Sequence, residues 1–356
     1  MSVAIGIERA RPREEAPPPL TRQPAFVRFW AGQSISVFGD QISALAIPLT
    51  AVLALHASAL EVGILTALAW LPHLLFSLPA GVWIDRRAHK RENMIVADLL
   101  RGLALATIPA AWWLGMLTIW HLLAVAFAVG ALTVFFDLSS ATFFVVLVHR
   151  SQFVDANSKL STTRSLSYIA GPSTAGFLVQ VFTAPVALMA DALSFVGSAI
   201  ALRGVHVQEP KVESNGTSAR SDLVEGFRYL ARQPVLRAGV ACTSIINFFS
   251  FFVFAIFVLY ASRTLDLSAG VIGVVLGAAS IGALAGALVA PRVGRRLGIG
   301  RAVVLGAVLF PAPMALFPLA HGGHWLSASM LLAGEFLASV GVMIFDVNQN
   351  SLQAMV

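Results

Sequence analysis

Apolar runs of membrane length follow one another along almost the whole chain, and charge is confined to the short breaks between them. The sharpest case is Val62 to Ile84, 23 residues without a charge, followed by Asp85-Arg86-Arg87-Ala88-His89-Lys90-Arg91 and then a new apolar run from Met94. A hydrocarbon layer about 30 Å thick is crossed by about 20 helical residues at about 1.5 Å each. Such a run predicts a spanning helix. A tight positive knot between two of them predicts a turn at the cytoplasmic face.

Residues 29–55, 62–84, 94–117, 119–148, 160–182, 184–202, 238–261, 269–289, 302–320 and 325–346 read as ten transmembrane helices. Only 12% of the residues are charged and 57% are hydrophobic, whereas soluble domains carry about 25% charge. The expected class is an all-α integral membrane protein, because helices satisfy their own backbone groups in lipid. The net charge of +6 does not indicate nucleic acid, since the Lys and Arg residues sit in short clusters between apolar runs. With the N-terminus inside, 23 of the 24 basic residues fall on the cytoplasmic side, Arg263 being the exception. That asymmetry predicts the orientation.

Residues 1–25 hold Arg9, Arg11, Arg13 and a Pro17-Pro18-Pro19 run without the apolar core of a signal peptide, and read as a disordered cytoplasmic tail. The longest internal connection, 204–237, is polar and then reads as a short amphipathic helix, Asp222 to Arg232. It divides a six-helix bundle, 26–203, from a four-helix bundle, 238–356. A weak internal echo accompanies the division. Gly81 leads to Asp85 and a basic cluster, and Gly286 leads to Ala290 and then Arg292, Arg295 and Arg296. Parallel repeats about an axis along the membrane normal suit a transporter plan.

Carboxylates at membrane depth mark a pathway, since each costs roughly 2.5–3.5 kcal/mol at a helix centre on insertion scales. Asp40 lies about 17 Å into helix one at the rise of a helix, and is the first candidate for a protonatable or cation-binding group; a carboxylate held structurally by hydroxyls is the other reading. Glu335 in helix ten is the second, Asp137 in helix four a third, and Asn247 in helix seven can add a polar contact. Asp98 and Arg101, three apart on one helix face, are expected to pair structurally with each other or with the 85–91 loop. Asp191 in helix six is left without a role. No cofactor or metal is expected: His321-Gly-Gly-His324 lacks a third ligand, and neither a Walker loop nor a nucleophile and base arrangement is present.

Residues 81–91 resemble the signature between helices two and three of the major facilitator superfamily. Gly81, Asp85, Arg86, Lys90 and Arg91 match, while Ala88 replaces a glycine and His89 a basic residue. Phe29-Trp30 through Gly39-Asp40, Asp98-Leu-Leu-Arg101, Asp191-Ala-Leu-Ser-Phe195 and Asn348-Gln349 resemble the branch of enterobactin exporters and macrolide efflux proteins. Ser158, Ser167, Gly171, Ala175 and Gly176, around Pro172, fall at the spacing of the family's antiporter motif, which has glycine at all five; a generic small-residue packing seam explains them equally. Similarity runs from about residue 25 to 353, ten helices against the family's twelve.

The resemblance implies a secondary active transporter of a bacterial inner membrane, exporting an amphipathic small molecule such as a drug or siderophore against protons, with Asp85 as half of an inner gate. Lacking the start of helix eleven, Asp85 is expected to face water or to be satisfied by Arg86, Arg91 or nearby helices. Two other functions remain open: a truncated, non-transporting membrane protein or half-partner of a second chain that supplies the missing helices, and an uptake permease.

Overall fold

The computed structural model describes residues 18–85, 89–207, 228, 232–320 and 322–353. The proposed tail up to residue 17, Arg86, and most of the 204–237 connection with its amphipathic segment lie outside the described residues. Ten long helices run in chain order: α1 Pro24–Leu49, α2 Ala59–Asp85, α3 Lys90–Trp113, α4 Ile119–Leu147, α5 Phe153–Val181, α6 Ala184–Arg203, α7 Pro234–Leu259, α8 Ala269–Leu297, α9 Ile299–Leu309 and α10 His324–Gln353. No strand occurs among the described residues.

Among the described residues nine helical segments are long and apolar enough to cross a membrane, α9 only when counted on through the following turn as Ile299–Leu316. The exception is α5, which the hydropathy reading counted as a tenth span. Its first half carries Asp155, Lys159 and Arg164 among serines and threonines. Helix α5 packs against α1 on one side and α8 on the other.

A second departure lies at 302–320. In place of one helix, α9 stops at Leu309 and a 3-10 turn, Ala312–Leu316, follows. Pro311 and Pro313 lack the N–H groups that would continue the ladder. The Tyr260 hydroxyl donates to the freed Phe317 carbonyl at 2.8 Å.

Helices α1 to α6 form one group, joined by the α1–α6, α3–α6, α2–α4, α3–α4 and α1–α5 contacts. In the second group α10 packs against α8 and α9. Between the groups the largest contact is α5 against α8, with a smaller one of α2 against α7, where Trp70 and Phe251 lie with ring centroids 4.8 Å apart. Close approach of α5 and α8 depends on absent side chains. A methyl on Gly273 would meet the Pro172 carbonyl and, at 3.1 Å, the Gly176 Cα.

The two groups repeat one device. The ends of α1 and α7 both widen into a single π turn, Thr50–Ala54 and Tyr260–Thr264. Each is followed by a residue in the left-handed region, His56 at φ 52° and Asp266 at φ 51°. Next, the serines Ser58 and Ser268 accept the Glu61 and Val271 amides as helix caps. The shift is 210 residues at these turns and 209 at the starts of α3 and α9, which have His89 (φ 77°) and Gly298 (φ 82°) as their caps. The echo read from Gly81 and Gly286, a shift of 205, is therefore out of register. On the observed shifts Asp85 falls against Gly294 or Arg295, not Ala290.

Candidate functional site

Three stretches distant in sequence converge between α1, α3 and α6. Glycines set the approach: a methyl on Gly39 would overlap the Ser194 hydroxyl and the Asp191 carboxylate, and one on Gly102 would stand 3.0 Å from the Ala192 carbonyl. Polar side chains fill the space so created. Ser43 of α1 donates its hydroxyl to Asp191 Oδ2, and Ser194 donates to Asp191 Oδ1 at 2.9 Å. Asp191 itself is 1% exposed.

Arg101, the largest fully buried side chain, pairs with Asp98 one turn before it on α3. Its guanidinium lies 4.3 Å from the Phe136 ring centroid and 4.2 Å from that of Phe195. It also donates to the Thr133 hydroxyl at 3.4 Å. Taking an ion pair out of water is expensive. Here the cost is offset by the short i, i+3 geometry and by two aromatic faces, each worth up to about 2 kcal/mol to a desolvated cation.

Asp40 is half-buried on α1, next to Gly39, and the charged groups acting on it are Asp191, Arg101, Asp137 and Asp98. Asp137 is exposed on α4, with Arg101, His73 of α2 and Arg164 of α5 as its charged neighbours. Asp40, Asp137 and Asp191 thus lie within electrostatic reach of one buried arginine, which pairs directly with Asp98. An arrangement with that excess of negative charge suits a proton or a cation.

The other candidates lie apart from this cluster. Glu335 is half-buried on α10 and has no hydrogen-bond or ion-pair partner among the described residues. Asn247 is exposed on α7. Gly81 sits in the last turns of α2, where an added methyl would meet nothing within 4 Å, and Asp85 is the last residue of that helix, its side chain outside the described parts. Lys90 opens α3 and Arg91 donates to the Val205 carbonyl at 2.5 Å.

The α5 set divides. Ser158 is exposed near the helix start and Ser167 is buried. A methyl on Gly171 would overlap the Gln41 side chain of α1, whereas one on Gly176 would run into the Ala269 carbonyl of α8. Ala175 is fully buried beside them. Pro172, inside the helix, offers its carbonyl side to Gly273.

The sequence reading missed Asp191, Ser43 and Ser194 as a unit. A signal was available in the three-residue spacings Asp40/Ser43 and Asp191/Ser194, which place each carboxylate and a hydroxyl on one helix face. In the second half, Gln349 donates to the Gly239 carbonyl at 2.9 Å and the Thr243 hydroxyl at 2.8 Å, and Asn348 donates to the Ala290 carbonyl at 3.3 Å. These two residues tie α10 to α7 and α8.

Comparison with known proteins places this architecture. The chain is 26% identical over 235 residues to an uncharacterized MFS-type transporter, YfiS, of Bacillus subtilis, covering 65% of this chain and 55% of that protein. It is 26% identical over 215 residues to macrolide efflux protein A of Streptococcus pyogenes, covering 60% of this chain and 53% of that protein. The aligned part thus spans about half the length of these relatives. The crystal structure of the nucleoside transporter NupG superposes with a TM-score of 0.72 at 10% identity, covering 94% of this chain and 82% of that one. Residues 29–355 match the Major Facilitator Superfamily, and this multi-pass membrane protein belongs to that superfamily.

Proposed function

We propose that the chain is a secondary active exporter of the macrolide-efflux or enterobactin-exporter kind, moving an amphipathic small molecule out of a bacterial cell in exchange for protons. The observation that carries this reading is the convergence of Gly39 with Asp191 and Ser194, beside the buried Asp98/Arg101 pair that stacks on Phe195, with Asp40 next to Gly39 on α1. Charges at membrane depth are retained for a pathway or a proton relay.

In this reading the N-terminus is cytoplasmic, and 26–203 and 238–356, joined by 204–237, rock against each other about a midplane cavity. Asp40 and Glu335 take the proton or a cationic substrate group. The Gly171-Pro172-Ala175-Gly176 stretch, with Ser167 and Ser158, forms the seam about which the halves close, and Gly81, Asp85, Arg86, Lys90 and Arg91 form the gate at the basic end. The small residues on both sides of the α5–α8 contact support the first assignment.

The test is efflux of ethidium measured with energised everted vesicles. Wild-type vesicles are expected to accumulate the dye, and Asp40→Asn and Glu335→Gln, checked for expression and melting temperature, to lose most of that activity. If both variants accumulate ethidium at the wild-type rate, the assignment is wrong.

A further inference from the structure

Arg263 is the one basic residue of 24 that stands apart from the basic ends of the helices. It belongs to the π turn Tyr260–Thr264 that ends α7, and it reaches across to the matching turn of the other group, where its Nη2 donates to the Val52 carbonyl at 3.3 Å. The acceptor is one in need of a donor. In the turn that ends α1, the Leu55 and Ala57 amides take the Thr50 and Ala51 carbonyls, and Val52 is among the last carbonyls that a helix terminus leaves open. Those carbonyls form the negative end of the α1 dipole, where a cation is favoured.

This contact lies at an end where the two groups share one core. Val52, Ala57 and Val62 of the first group and Val258, Ala261 and Leu267 of the second are buried in a single apolar cluster. At the basic end, two further clusters, one around Met94, Phe143 and Leu202 and one around Phe26 and Val148, hold first-group residues alone. The polar contacts follow the same division. Ser173 donates to the Gly273 carbonyl at 3.4 Å and Ser280 to the Tyr168 carbonyl at 2.6 Å, so α5 and α8 bond through the second half of one and the first half of the other. Among the described residues, the groups are thus joined at the end where α1 and α7 finish, without a shared core at the other.

We infer that Arg263 is a latch on the end where α1 and α7 finish: opening there separates its guanidinium from the Val52 carbonyl and returns both to water. The 210-residue shift that relates the two turns sets Leu53 at the place of Arg263, so the second group supplies the cation and the first supplies only the carbonyl. Arg263 is exposed. Water therefore competes for the bond, and the latch biases opening without barring it. This rests on the proposed exporter, in which the groups rock and this end is the outer gate, and deepens it by naming a residue that holds that gate.

The latch is read as a distance, without transport. In the full chain with Cys242→Ser, spin labels on Leu60→Cys at the start of α2 and Leu319→Cys beyond α9 mark the two groups at this end, and both positions are exposed. Double electron–electron resonance in proteoliposomes is expected to show one short distance dominating when Arg263 is present. Arg263→Ala is expected to raise the ratio of longer to short distances about three- to tenfold, the equilibrium factor of one partly exposed hydrogen bond. Arg263→Met carries the same expectation and serves if melting shows that Arg263→Ala does not fold. Arg263→Lys, which keeps a cation and a donor, is expected to stay near the wild type. Distances unchanged by loss of the arginine, or a lysine variant as open as the alanine one, would overturn the inference. Ethidium accumulation in everted vesicles reports separately on the exporter reading: its absence, with the distances still released in Arg263→Ala, would remove export and leave the latch.

Discussion

Ser43 on α1 donates its hydroxyl to Asp191 on α6, across 148 residues of sequence, at the place where Gly39 removes the bulk between the two helices. This bond joins the helix that bears Asp40 to the buried Asp191 of α6. Around it the first six helices pack into one group, and the buried ion pair of Asp98 and Arg101 lies on the neighbouring α3.

That ion pair is expected to behave as an interdependent unit. Removing one partner leaves an uncompensated buried charge, which costs about 3–5 kcal/mol, whereas replacing both by apolar groups costs little. Arg101→Met alone is therefore predicted to lower stability by that amount in denaturant unfolding in detergent. Asp98→Leu combined with Arg101→Met is predicted to recover most of the loss. Additive losses in the double variant would contradict the pairing. Lysine is not expected to replace Arg101, because it lacks the planar group that lies between Phe136 and Phe195.

Glycine replacements should separate contact from propensity. In a helix interior, Gly→Ala gains about 1 kcal/mol. At Gly63, where a methyl meets nothing within 4 Å, the melting temperature should rise. At Gly273, where it would press on Pro172 and Gly176 of the other group, overpacking of about 1–3 kcal/mol should outweigh that gain and lower it. Equal shifts of the two variants would mean that α5 and α8 do not approach as described.

The repeated turns carry a prediction of their own. His56 and Asp266 adopt left-handed backbone angles of φ 52° and 51°, which cost a non-glycine residue roughly 1–2 kcal/mol. His56→Gly and Asp266→Gly should each stabilise the protein by about 1 kcal/mol, and His56→Val should destabilise it. A loss on glycine substitution, read by thermal melting, would show that the side chain and not the backbone decides these sites.

Most of the helices are legible in the sequence because a spanning helix needs only a run of apolar residues, and α5 is the one that falls short of that apolarity. What hydropathy does not register is a local break inside a run. Pro311 and Pro313 end α9 early although the residues around them stay apolar. The repeat was likewise visible but misaligned, since Gly81 and Gly286 suggest one register while the turns at His56 and Asp266 fix another. At the cluster, Asp40 and the Asp98/Arg101 pair stand out as charges in apolar runs, but Ser43, the second partner of Asp191, lies on a different helix and no local spacing names it. Asn247, expected to offer a polar contact, is exposed on α7. Which helix face turns inward is decided by packing between distant segments, and the even apolarity of these runs hides it.

Orientation is open to a direct check. With Cys242, the single cysteine, changed to serine, cysteines introduced at Arg263 and at Arg295 sit at opposite ends of α8 and its preceding turn. A membrane-impermeant maleimide added to intact cells should label Arg263→Cys and spare Arg295→Cys. The reverse pattern would invert the topology that the basic residues predict.

The most direct measurement of the central claim is proton movement driven by substrate in proteoliposomes that contain the purified chain and an internal pH dye. With an ethidium gradient and no imposed pH difference, the wild-type protein should drive protons in the direction opposite to the dye, and Asp40→Asn should abolish that proton flux. Ethidium movement with no accompanying pH change, or a proton flux identical in Asp40→Asn, would contradict proton-coupled export through the α1–α6 cluster.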